Sequence, residues 1–216
     1  LFHSCFNVLN TSILVWFIPS IEKLVNKLIP TNEEEEFRLK FIPSGFMSAG
    51  ELSIEPAKQE IQAFSKRVVR MYEFIPELFD MKDDKKFDQL MGRTKKYEEI
   101  TDRMEVEIAN YLTKVSEKGL SLGASQEISA MLRIVDNLES IGDSCYQLSL
   151  TIDSKRKQNI AYSQEMNEKL QKMFSLVKEA VLEMNNNLSA NYHNVSIDRA
   201  KELENRINEY RDQLRT

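Results

Sequence analysis

The sequence predicts an all-α chain, and three observations carry that prediction. Apolar residues recur at helical spacing through several long segments, and short connections separate those segments. Six glycines and five prolines are few for 216 residues and fall mostly at segment ends. Hydrophobic residues make up 42% and charged residues 29%, the balance of a chain that buries a core and keeps a solvated surface. Twenty-nine Lys and Arg against 34 Asp and Glu give a net charge of −5. No basic stripe with interleaved aromatics tracks a phosphodiester backbone, so nucleic acid is not an expected partner. Cys5 and Cys145 lie in different apolar settings without C-x-x-C spacing and read as reduced packing residues.

The first element is different in kind. Leu1 to Ile18 carries no formal charge unless His3 is protonated, whereas Glu22, Lys23 and Lys27 follow closely. Eighteen helical residues reach about 27 Å, just short of the roughly 30 Å hydrocarbon core of a bilayer. Trp16 and Pro19 would mark an interfacial exit, and Ile21, Leu24, Val25, Leu28 and Ile29 an amphipathic continuation that Pro30 stops. Residues 1–30 are therefore expected to be a last transmembrane helix with its interfacial continuation. A buried core helix and a signal peptide are the competing readings, the second lacking a basic start and a small-residue cleavage site. Because the chain starts at Leu1 and not at Met, it reads as beginning inside a longer protein. Residues 31–52 read as a linker, with the run Glu33 to Glu36 solvated and a short strand or extended piece near Phe37 to Ile42.

Helical periodicity then takes over. The first bundle helix is expected from an N-cap at Ser53, with Pro56 tolerated in its first turn, to about Phe79. Its stripe is Ile61, Phe64, Val68, Met71, Ile75 and Leu78, and Pro76 is expected to kink it or end it early. The second helix, about Lys85 to Lys118, carries Phe87, Leu90, Tyr97, Met104, Ile108, Tyr111, Leu112 and Val115 on one side. Glu98, Asp102 and Glu105 occupy an arc of roughly 60° at the margin of that face. After a Gly119–Gly123 loop, the third helix runs from about Gly123 to Ile152 with Ile128, Met131, Leu132, Val135, Leu138, Ile141 and Cys145 as its core face. Asp136, Glu139 and Asp143 line one edge of that stripe. Gly142 sits mid-helix, where glycine costs about 1 kcal/mol relative to alanine, so a close approach by another helix or a ligand is expected there.

A short loop between long helices makes them antiparallel neighbours, so the two carboxylate rows can face each other at one seam. Four to six oxygen donors in such a seam repel unless they are protonated or neutralised, and a multivalent cation is the usual neutraliser. The competing reading is plain: each row is a solvated surface pair, and Arg133 neutralises Asp136 at i, i+3. Beyond a turn around Asp153 to Ala161, helices are expected over about Ser163 to Ala190 and Ser196 to Thr216. Neither His3 nor His193 follows a glutamate by three residues, which leaves a ferritin-like di-iron site without ligands. No phosphate-cradling glycine loop, zinc-ligand cluster or nucleophile elbow is present, and no enzymatic activity is expected.

RIVDNLESIGD at 133–143, together with EEITDRMEVEIANYL at 98–112, resembles the phosphate-uptake regulator (PhoU) family, whose helical bundles carry a recurrent Glu/Asp-x-x-x-Asp signature. FHSCFNVLN, IPSIEKL and SAGELSIEPAKQEI look like the end of a sodium/phosphate symporter with a PhoU-like domain fused after its last membrane helix. The resemblance implies an antiparallel three-helix bundle over 53–154 and an incomplete second repeat over 162–216. It implies a metal site, for a divalent or trivalent ion, at Glu98, Asp102, Glu139 and Asp143; Asp136 is a candidate extra donor or orienter, and Glu105 a further candidate. KELENRINEYRDQLR looks like a second copy of the 95–109 region, with Glu204 and Asn208 in the places of Glu98 and Asp102. Asparagine departs from the signature, and the third helix of that repeat is not in the sequence, so truncation at both ends is expected.

The implied function is the regulatory region of a sodium-dependent phosphate symporter that modulates phosphate uptake at the cell (inner) membrane, with the bundle on the cytoplasmic side. Its partners would be the membrane, the remainder of the symporter chain, and sodium and phosphate through the transport domain; a homo-oligomer is compatible with this. One span without broken polar helices cannot itself transport. The alternative is a soluble helical scaffold or phosphate-signalling adaptor with no metal site and no membrane span.

Overall fold

Helices account for nearly all of what the computed structural model describes, which is residues 39–42, 53–190 and 195–215. They are α1 (Ile54–Asp80), α2 (Asp84–Ser116), α3 (Leu122–Lys157), α4 (Gln164–Ser189) and α5 (Asp198–Arg215), and no strand occurs among the described residues. The membrane helix expected over 1–30 and most of the 31–52 linker, Cys5 included, lie outside the described residues. No described helix is long and apolar enough to cross a membrane. Of the short strand or extended piece expected near Phe37 to Ile42, residues 37 and 38 lie outside the described residues, and residues 39–42 form a bend.

Local chemistry sets the helix ends. Asp83 accepts from the Lys86 N–H, Ser121 from Ala124 and Ser163 from Met166, each side chain satisfying a donor that the first turn leaves without an intrahelical partner. Ser53, expected to cap α1 in the same way, makes no side-chain cap. It is buried, and its carbonyl accepts the Tyr111 hydroxyl at 2.9 Å. Pro76 removes one N–H but does not stop α1, which continues to Asp80. α3 runs past Ile152 until Asn159, at φ 52°, takes the left-handed conformation that short polar side chains tolerate at helix ends.

The expected stripes of α1 and α2 are buried throughout, while on α3 Leu132 and Ile141 are only half-buried. α1, α2 and α3 pack mutually, α4 packs on α1, and α5 packs on α4. Tyr111, near the end of α2, reaches the start of α1, so the neighbours run antiparallel. Two core clusters result. One holds Phe64, Ile100, Met104, Ile128, Val135 and Leu138; the other holds Met71, Phe74, Leu78, Tyr97, Cys145 and Phe174. Ile141 and Met184 touch both. α4 joins through Phe174 and Val181, and through two hydrogen bonds: Tyr72 Oη donates to the Phe174 carbonyl at 2.7 Å and Ser65 Oγ to Asn185 Oδ1 at 2.8 Å. Cys145 is buried and free, and burial pushes its thiol up to about 12, so it serves as an inert packing group.

Arg156 ties the end of α3 to the α1–α2 connection. Its guanidinium donates to Asp84 Oδ1 and to the carbonyls of Met81 and Lys82, and it lies 4.4 Å from the Phe87 ring centroid. A planar fork can make these bonds together, whereas an ammonium cannot. Arg156→Lys is expected to cost about 1–2 kcal/mol, read as a lower thermal midpoint, although the formal charge is unchanged. An unchanged midpoint would mean that the bonds only replace equivalent ones to water.

Candidate metal centre

The two core clusters meet at a waist, and the acidic rows sit over it. On α2 the second cluster ends at Tyr97 and the first resumes at Ile100; on α3 the change falls between Leu138 and Cys145. Between α2 and α3 at this level stand Thr101 and Gly142. Both are buried, and a Cβ added to Gly142 would lie 3.0 Å from Thr101 Oγ1 and 3.5 Å from its Cβ. The close approach expected of a mid-helix glycine is therefore made by a threonine of the neighbouring helix. Thr101 Oγ1 also donates to the Glu98 carbonyl at 2.8 Å, which holds its rotamer. The residue after each contact partner is a carboxylate: Asp102 on α2 and Asp143 on α3. The contact thus brings the seam together.

Glu98, Asp102 and Asp143 each offer an oxygen to one group, with those atoms all within 4.8 Å of one another. Glu98 is half-buried and Asp143 exposed, so the group opens to solvent. Burial raises the Glu98 carboxyl above its ordinary range, and the charges of Asp102, Asp143 and Glu99 raise it further against a small opposing pull from Lys95. Asp102 is raised by burial, then by Asp143 and Glu99. These shifts have a single physical origin: anions close together, partly shielded from water, with little cationic charge beside them.

The other expected ligands are placed differently. Glu139, one turn before Asp143 and half-buried, lies outside the group of three. Its carboxyl is raised by burial and then by Asp143, Asp102 and Glu105, while a 3.4 Å hydrogen bond from Ser140 lowers it, so it borders the same negative field. Glu105 enters as part of that field. Asp136 is exposed and belongs to no such group, and among the described residues no ion pair joins it to Arg133. In the segment expected to be a second repeat, Glu204 is exposed, and Asn208 Oδ1 accepts from Arg211 at 2.9 Å.

The donor set suits a hard cation. It consists only of carboxylate oxygens, the ligands that calcium, magnesium and manganese prefer. Ligand distances of roughly 2.3–2.6 Å around calcium separate opposite oxygens by up to about 5 Å, a span that accommodates the observed group. Bound charge would also relieve the repulsion that raises these carboxyls.

Thr101 was not legible as a contributor, because a lone threonine on a buried face carries no chemical signature. Gly142 was. The pair has a measurable consequence. Gly142→Ala gains about 1 kcal/mol of helix propensity but forces a buried, hydrogen-bonded side chain aside, which typically costs about 1–3 kcal/mol. The net result expected is a lower urea midpoint. Adding Thr101→Ala removes the atom at 3.0 Å, so the added methyl should cost far less in the double variant than in the Gly142→Ala single variant. Simple additivity of the two changes would show that the contact is not coupled.

Residues 61–152, most of α1 through Ile152 of α3, match the PhoU domain family. This segment is similar to a PhoU domain, and its all-helical build agrees with that similarity. No curated protein and no solved structure matches the chain.

Proposed function

We propose that this chain regulates phosphate uptake through its PhoU-like bundle, with Glu98, Asp102 and Asp143 holding a divalent or trivalent cation and Glu139 supporting them. One observation carries the metal reading: three oxygens from two helices converge within 4.8 Å inside the PhoU-matching segment. The cation would supply charge neutralisation and a cross-link between α2 and α3 that depends on its concentration. Such a link turns the seam into a state a partner can distinguish, because an ion that binds one arrangement better shifts the population toward it. The role we infer is regulatory.

The context we infer is the C-terminal region of a sodium-dependent phosphate symporter in the cell (inner) membrane, with the bundle on the cytoplasmic side. The uncharged run Leu1 to Ile18 and the charged bundle that follows support that reading. The membrane, the rest of the symporter, sodium and phosphate are its proposed partners. Deleting residues 53–216 from the encoded protein in its host, then measuring phosphate uptake in sodium and in choline medium, tests it. A change confined to sodium medium is expected. Equal uptake with and without the bundle removes the regulatory role, and a change independent of sodium favours a phosphate-signalling adaptor.

A further inference from the structure

Glu60 lies on the core-facing side of α1, between Ala57 and Ile61, and is completely buried. An anionic oxygen in such a place requires donors, since a carboxylate buried without them is among the most expensive groups to remove from water. Residues 39–42 provide them. Glu60 Oε2 accepts from the backbone N–H of Lys40 at 3.0 Å and of Phe41 at 2.8 Å. Burial raises this carboxyl, and the Phe41, Lys40 and Ile42 amides, followed by the charge of Arg67, draw it back down. Successive amides of a bend aimed at one anion form a nest, an arrangement that holds negative charge, and here the charge of Arg67 adds to it. On either side, Leu39 and Ile42 are half-buried against the first core cluster, whereas Lys40 and Phe41 are exposed. The second oxygen, Oε1, has no hydrogen-bond partner among the described residues.

We propose that residues 39–42 are a releasable strap, seated on α1 by the Glu60 carboxylate and by Leu39 and Ile42, that fixes where the chain enters the bundle and opens without unfolding it. Among the described residues the seat is one carboxylate with the backbone amides it draws on and two partly covered side chains. The helices beneath are joined by a continuous core of fully buried residues such as Ile61, Phe64 and Val68. Opening the strap therefore breaks far fewer contacts than opening the bundle, the condition for a separate, lower-energy opening. What keeps it closed is the state it would leave behind, since an open strap strips Glu60 of the partners it has among residues 39–42. The strap does not depend on the acidic seam, and its test is independent of cation binding.

Amide hydrogen exchange by NMR on the whole chain reads it directly, for the wild type, Glu60→Ala and the double variant Leu39→Ser/Ile42→Ser. In the wild type, the Lys40 and Phe41 amides should exchange roughly 10–100-fold more slowly than free amides, yet faster than those of Phe64 and Val68. In both variants these two amides should approach the free rate while Phe64 and Val68 stay protected. The double variant keeps the carboxylate in place, so it decides the question if Glu60→Ala fails to fold. Two results overturn the proposal: Lys40 and Phe41 unprotected in the wild type, or exchanging together with Phe64 and Val68. Protection unchanged by the variants overturns the assigned seat.

Discussion

Asp102→Asn combined with Asp143→Asn should reduce affinity for calcium or manganese by about a hundredfold or more, and should raise the melting temperature of the protein in chelator. The two effects have opposite signs for one reason. Both aspartates belong to the group of three convergent oxygens, so replacing them removes two of its three anionic donors. Without a cation the same charges repel: Asp143 raises the carboxyls of Glu98, Asp102 and Glu139. Asparagine is nearly isosteric and neutral, so it relieves the repulsion while leaving helix packing intact. Calorimetric titration of both proteins, with thermal scans in EDTA and in added cation, separates the outcomes. Wild type should gain stability on adding the ion, by an amount set by its concentration relative to Kd, and the variant should not. Equal cation binding by the two proteins would leave the seam a purely structural feature and sink the metal reading. Glu139→Gln serves as an internal control, with a smaller loss expected, because Glu139 borders the group without joining it.

Phe74→Ala should destabilise the bundle by about 3–5 kcal/mol, the range for emptying a large aromatic from a packed core. Phe74 is fully buried and meets Tyr97 edge to face, with centroids 5.0 Å apart and an interplanar angle of 81°. The guanidinium groups of Arg70 and Arg93 lie 5.2 Å and 5.0 Å from its centroid, so truncation removes two cation–π contacts as well. Tyr97 directly precedes Glu98, and a cavity beneath it also loosens the support under the metal centre. A fall in the urea midpoint at constant m-value is the expected signature. A loss below about 1 kcal/mol would mean that α1 and α2 close over the space, since the cost of a truncation depends on how fully the site collapses.

Most of the helical framework could be read before any coordinates. The stripes of α1 and α2 are buried residue for residue, because the 3.6-residue period is a local property of the backbone that no partner has to supply. Gly142 announced a close neighbour for the same local reason, its cost inside a helix. Less legible were features set by contacts distant in sequence. Ser53 reads as a cap from its position, yet its role is to hand a carbonyl to Tyr111, 58 residues on. Pro76 reads as a breaker, yet α1 continues through it, with Ile75 and Leu78 on either side fully buried in the core. Glu60 left a trace that could have been followed: a glutamate set within the apolar run Ala57, Ile61, Phe64 must find a partner.

The amino-acid order by itself determined that the chain is helical, which face of each helix is apolar, and that two rows of carboxylates flank the core on consecutive helices. Only the tertiary structure decided which oxygens meet. Glu139 and Asp143 are equivalent by periodicity, one turn apart on the same edge of α3, but Asp143 alone of the two joins Glu98 and Asp102. The difference comes from where two rods touch. With Thr101 seated against Gly142 in antiparallel helices, the register places Asp143 level with the stretch between Glu98 and Asp102, whereas Glu139 lies a turn further along α3, toward Glu105. Periodicity describes a helix relative to its own axis; register between helices is a property of packed surfaces, and packing is where Asp143 is separated from Asp136.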